Sequence, residues 1–138
     1  MIAIGEDRQT IYLTRGDVTD KFHKVAFYYP IYNFATKKEE KYKFKLSDKI
    51  AFVVKEKKGY TKKEVLRIEK TLAEMGHVEP TEYPEIEITE EDAKAFDLLD
   101  KKKTYNYDIV LNDSTTILGY DMDGAKKLIV FPEAEEVD

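Results

Sequence analysis

The chain has 138 residues, with 23 Lys+Arg, 28 Asp+Glu, two His and no Cys, and a formal net charge of −5. This length suits one domain, and 42% hydrophobic residues supply a core, which argues against wholesale disorder. The missing cysteines exclude a disulfide framework, a thiolate zinc site and a Cys nucleophile.

In chain order, residues 1–9 read as a short N-terminal arm without the charged-then-apolar pattern of a signal peptide. Thr10 to Thr14 is β-branched and aromatic, and Arg15-Gly16-Asp17 bounds it as a turn, which predicts a strand. Lys24 to Ile31 predicts a second strand that ends at Pro30 or lies at an edge, because proline cannot donate to a ladder. Lys41 to Phe44 begins a short extended segment, and Leu46 to Lys49 reads as a turn. Ile50 to Val54 is continuously apolar and predicts a strand buried on both faces. Lys55 to Lys63 is a polar loop.

Residues 64–75 give two local signals. Val65, Ile68, Leu72 and Met75 fall at helical spacing, Thr61-x-x-Glu64 resembles a capping box, and Gly76 suits a helix C′ position. Leu66, Ile68 and Leu72 also share one face of a strand. Farther on, Pro80 and Pro84 mark a connector, and Glu85 to Ile88 alternates as a strand. Thr89 followed by Glu90-Glu91-Asp92 predicts an N-cap and a short helix over 90–96. Thr104 to Leu111 alternates with Tyr105, Tyr107, Ile109 and Leu111 on one core-facing side, and Asn112-Asp113-Ser114 makes a hairpin turn. Thr115 to Tyr120 and Lys127 to Phe131 are the last strands, before an acidic tail over 133–138. Many short strands separated by turns predict a mainly β single domain over 1–138. The expected architecture is an antiparallel β-sandwich, Ig-like or jelly-roll-like, with one short helix near 90–96.

The net charge conceals a polarity. Residues 1–69 hold 16 Lys+Arg and 10 Asp+Glu, a balance of +6, and residues 70–138 hold 7 and 18, a balance of −11. The basic half is poor in arginine, its lysines at 37, 38, 41, 43, 45 and 49 are interrupted by Glu39, Glu40 and Asp48, and Tyr42-Lys43-Phe44-Lys45 alternates as a half-buried strand does. A nucleic-acid partner is therefore not expected, and neither is a membrane, since no stretch approaches the ~18 apolar residues of a span.

Motifs of catalysis are missing too. His23 and His77 lack metal-ligand spacing. Asp121-x-Asp123-Gly124 departs from a calcium loop, with glycine too early and Pro132 where the bidentate Glu belongs. Ser47 and Ser114 are the only serines, and neither lies in Gly-x-Ser-x-Gly. Glu90-Glu91 is explained by helix-start electrostatics. No catalytic, metal or cofactor-binding residue is assigned. The ten tyrosines are more informative, because tyrosine is common at interfaces. Tyr28, Tyr29 and Tyr32 flank Pro30 and, with Lys37 and Lys38, form the predicted partner interface.

Five segments in order carry a resemblance. They are Ile11 to Asp17, Leu46 to Lys55, Ile86 to Asp92, Tyr105-Asn106-Tyr107-Asp108-Ile109, and Lys127-Leu128-Ile129-Val130-Phe131-Pro132-Glu133. Together they resemble small phage tail proteins of Gram-positive hosts, near the N-terminal domains of baseplate upper proteins, over about residues 10 to 133. The resemblance implies a non-enzymatic structural part of a phage tail, baseplate or tail-like bacteriocin particle. Such a part joins the tail core to receptor-binding or peripheral components. Its expected partners are other tail proteins and further copies of itself in a symmetric particle, and its location is the virion tail, assembled in the host cytoplasm. The same resemblance favours a strand over residues 65–72, returning from Ile50 to Lys55. Leu46-Ser47-Asp48 departs from the family's Pro-Gly-Asp, and the longer segment 21–43 reads as an insertion used for a partner. The alternatives are a carbohydrate-binding module for cell-wall glycans on exposed tyrosines, and a small acidic inhibitor of a host protein.

Overall fold

The computed structural model describes residues 2–4, 10–14, 24–56, 63–89, 92, 95–96, 103–118 and 126–131. The fold is mainly β, with eleven strands among these residues and no helix element. The strands are β1 (Ile2–Ile4), β2 (Ile11–Thr14), β3 (Lys24–Ala26), β4 (Pro30–Asn33), β5 (Lys38–Lys41), β6 (Lys49–Lys55), β7 (Glu64–Thr71), β8 (Glu85–Glu87), β9 (Lys103–Leu111), β10 (Thr115–Leu118) and β11 (Lys126–Phe131).

Seven strands form the main sheet in the order β1-β2-β11-β9-β6-β7, with β10 also on β9. All its pairs are antiparallel except β2 with β11, where Ile11 lies opposite Leu128 and Thr14 opposite Phe131. The long β9 is the axis. Along one side it pairs with β6 over Asn106 to Leu111, and on the other with β11 and then β10.

The core lies on one face of this sheet. Ile50, Phe52 and Val54 from β6, Leu66 and Ile68 from β7, the alternate residues Tyr105 to Leu111 of β9, and Leu128 and Val130 of β11 all point into it. The period-2 alternation of β9 puts every second side chain there. Over it pack the β3–β8 ribbon, through the cross-strand pair Val25 and Ile86, and Phe27, Phe44, Leu72, Ile88 and Phe96. Each large apolar side chain so buried is worth about 1.5–3 kcal/mol relative to exposure. Ala51 and Val53, on the opposite face of β6, are buried as well, as the continuous apolar run predicts.

Residues 64–71 form the strand β7, paired with β6 from Lys49↔Thr71 to Lys55↔Glu64. Thr61 of the expected capping box lies outside the described residues and Glu64 begins β7; of the helix signals, Gly76 holds, at the end of one turn with a capping box of its own. Thr71 and Glu74 make a reciprocal capping box, Thr71 N–H donating to Glu74 at 3.0 Å and Glu74 N–H to the Thr71 hydroxyl at 3.2 Å. Gly76 (φ +96°) closes that turn, with His77 N–H donating to Leu72 C=O and Gly76 N–H to Ala73 C=O, a Schellman pattern. The expected strand Lys24 to Ile31 is split. Its first part pairs with β8, and Pro30 opens β4, which pairs with β5 in a separate two-stranded sheet. Residues 2–4 of the expected N-terminal arm are the strand β1.

The short helix expected over 90–96 lies mostly outside the described residues. At its start, Thr89 and Asp92 exchange hydrogen bonds in capping-box fashion. His23, Glu90-Glu91, Asp121 to Gly124 and the acidic tail lie outside the described residues.

Candidate functional site

The strands β4 and β5 form an arm. Pro30 lies opposite Lys41 and Asn33 opposite Lys38, and residues 34–37 make the tip. Seven of the eight strand residues are exposed. The tip is internally fixed. The Asn33 carboxamide oxygen accepts from Ala35 N–H at 2.9 Å and Thr36 N–H at 3.3 Å, its nitrogen donates to Glu40, and Lys37 takes a left-handed φ of +55°. On this rigid tip stands Phe34, 84% exposed, its ring edge-on to Tyr32 at 4.8 Å. Ile31 and Tyr32 are exposed too.

At the arm's base, Tyr28 and Tyr83 meet edge-to-face at 6.2 Å, and the Lys41 ammonium sits 5.6 Å and 5.5 Å from their ring centres. A hydrogen bond with Tyr83 raises the Lys41 pKa. On the other side of the ribbon, Tyr29 is half-buried against Tyr42 at 6.0 Å, and Tyr42 stands edge-on to core residue Phe44 at 5.0 Å.

Asp48 anchors this base to the sheet. Its carboxylate is 6% exposed and accepts from Tyr42 Oη at 2.8 Å, Lys45 N–H at 2.8 Å and Asn112 Nδ2 at 3.0 Å. Burial alone would push this carboxyl up. The hydrogen bonds from Lys45, Asn112 and Tyr42, with the Lys45 charge, outweigh it and hold the group below the ordinary carboxylate value. Burial and the same carboxylate push the Tyr42 phenol up. Asn112 also accepts from Lys49 N–H at 2.9 Å, so one residue of the β9–β10 turn ties two strands and the arm's base together.

Of the five residues predicted for the interface, Tyr28, Tyr32, Lys37 and Lys38 are exposed on the arm or its base. Tyr29 is half-buried, its ring 6.0 Å from that of Tyr42. Ile31, Phe34, Lys41 and Tyr83 belong to the site and were not read from the sequence. Tyr83 is joined to the arm by a long-range contact, and a single exposed Phe in a turn has no periodic signature.

Among the described residues, no group of three His, Asp or Glu is placed to hold a metal. Among the same residues, no helix is long and apolar enough to cross a membrane. An open groove beside Glu56, Lys63, Glu64 and Val65 has carboxylates engaged in ion pairs, Glu64 with Arg67 at 2.8 Å and Glu56 with Lys103. His77 accepts the Glu85 N–H at 3.3 Å, a structural role in the connector. No family model matches the chain, nor does any curated protein or solved structure.

Proposed function

We propose that this protein is a non-enzymatic structural component of a phage tail, baseplate or tail-like bacteriocin particle, and that its arm docks on a neighbouring protein. The observation that carries the docking role is the arm. A two-stranded ribbon is marginal alone in water, yet this one holds Ile31, Tyr32 and Phe34 in solvent on an internally braced tip. Aromatic side chains on a rigid support are the usual anchors of protein interfaces. The class of particle comes from the five ordered segments named above. In this reading the main sheet and the β3–β8 ribbon are the two layers of a β-sandwich. The partners are other tail proteins and further copies of the chain, without cofactor, nucleic acid or membrane.

The test is removal of the coding sequence, followed by electron microscopy and mass spectrometry of the particles. Particles without a complete tail tip, restored by the wild-type chain, are expected. Intact particles that never contained the chain would contradict the proposal.

The exposed Tyr28–Tyr83 pair favours a second reading, a module that stacks cell-wall sugars on those rings. Glycan-array binding lost in Tyr28→Ala or Tyr32→Ala would support it, and an array without binding would remove it.

A further inference from the structure

The arm has a counterpart on the same chain. From Thr71 to Glu87 there is no Lys or Arg, and Glu74, Glu79, Glu82, Glu85 and Glu87 are all exposed. Val78, 85% exposed, stands in this strip, and a shallow crevice has Ile68, Met75 and Ile86 in its walls with Glu74, Glu87 and Lys70 around them. The arm has the opposite character. Residues 27–45 hold five lysines against Glu39 and Glu40, all exposed, around the apolar Ile31, Tyr32 and Phe34.

Within one chain no ion pair among the described residues joins the two surfaces; the nearest approach is at the base, where the Glu82 charge acts on Lys41. Among the described residues, none of the five glutamates and none of Lys37, Lys38, Lys43 and Lys45 forms an ion pair. Elsewhere the chain does form them. Lys49 bridges Glu69 and Asp113, and Arg67 bridges Glu64 and Glu69. The arm's base meets the strip along Phe27 with Pro84, Phe44 with Thr81, and Tyr28 and Lys41 with Tyr83, whereas Phe34 at the tip and Val78 both stand open to solvent.

We infer that the arm of one copy docks on the 74–87 strip of a second copy, with Phe34 against Val78 and the Met75 crevice and the tip lysines over the glutamates. The contact joins two different surfaces, so every copy offers one of each, and the association propagates head to tail into a ring or a filament. Unlike charges steer the encounter, and the apolar contact holds it. This inference deepens the assembly reading and rests on it.

Two variants isolate the surfaces. Phe34→Ser/Lys38→Glu disables the arm, and Val78→Ser/Glu79→Lys disables the strip. All four positions are exposed, and circular dichroism verifies folding. In sedimentation velocity the wild type is expected to self-associate with concentration, and more weakly in high salt. Each variant alone should associate at least about tenfold more weakly. An equimolar mixture of the two should form a heterodimer and nothing larger, because one working arm meets one working strip. As a second readout, Ala35→Cys and Pro80→Cys proteins, exposed probes beside the contact in a cysteine-free chain, should cross-link to each other faster than either does to a Ser114→Cys control. A wild type that stays monomeric at all concentrations, variants that associate like wild type, or a mixture that stays monomeric would overturn the inference. If copies do not join but the arm is still needed for entry into particles, only the copy-to-copy contact fails and the assembly reading stands.

Discussion

Asp48 shows how one side chain links the arm to the sheet. A buried carboxylate is costly unless its lone pairs are met, and here three donors from three places in the chain meet them. Tyr42→Phe removes one donor to a charged group and is expected to cost about 1–2 kcal/mol in urea unfolding. A carboxyl held below its unfolded value adds stability above that value, about pH 4, and the contribution is lost as pH falls through the folded pKa. Asp48→Asn is therefore expected to lower stability at pH 7 by about 1–3 kcal/mol. It should also flatten the acid limb of a stability–pH curve relative to wild type. Asp108 behaves oppositely. Burial pushes its carboxyl up, against the pull of Lys55, so its ionised form opposes folding near neutral pH. Asp108→Asn is expected to raise stability at pH 7 slightly, by under about 1 kcal/mol since the group is partly solvated, read as a small rise in melting temperature.

At the scale of elements, the turn 72–76 and the arm explain what a sequence can and cannot reveal. The strands β6, β8, β9 and β11 were legible because their apolar alternation or continuity is local. Of the helical signals over 61–76, the glycine at 76 marks a real helical end, whereas Val65 and Ile68 lie in a strand. A capping box and a C′ glycine define the ends of a single turn at 71–76, and β6 pairing overrides the 3.6-residue spacing of Val65 and Ile68. The spacing of Leu72 and Met75 belongs to that turn. Gly76→Ala is expected to destabilise by about 1–2 kcal/mol in thermal unfolding. Nothing lies within 4 Å of a new Cβ there, so the cost comes from φ +96° alone. The site was legible in part. Pro30 and its tyrosines marked the arm, whereas Phe34 carries no pattern. Tyr83, some 50 residues from the arm, joins it only in three dimensions.

Over the whole molecule, the polarity of +6 against −11 resolves into surfaces. Part of it is offset across the halves by the Lys49–Asp113 ion pair on the sheet, and part stays open on the arm and on the 74–87 strip. A chain that pairs its charges in one place and displays them in another, with an aromatic knob among the lysines, suits the proposed role as one piece of a larger object. The long edge strand β7 fits this design. Its exposed face carries Glu64, Arg67 and Glu69, charges that discourage edge-to-edge pairing, in keeping with the proposal that the arm makes the contact.

The most direct test removes the arm and keeps the core. A chain in which residues 30–41 are replaced by a two-residue turn leaves the sheet and its buried residues in place. It should unfold cooperatively as a monomer. When this variant replaces the wild-type chain in the producing host, mass spectrometry of purified particles should find it strongly depleted. Recovery of the folded, armless chain in particles at the wild-type copy number would contradict the account.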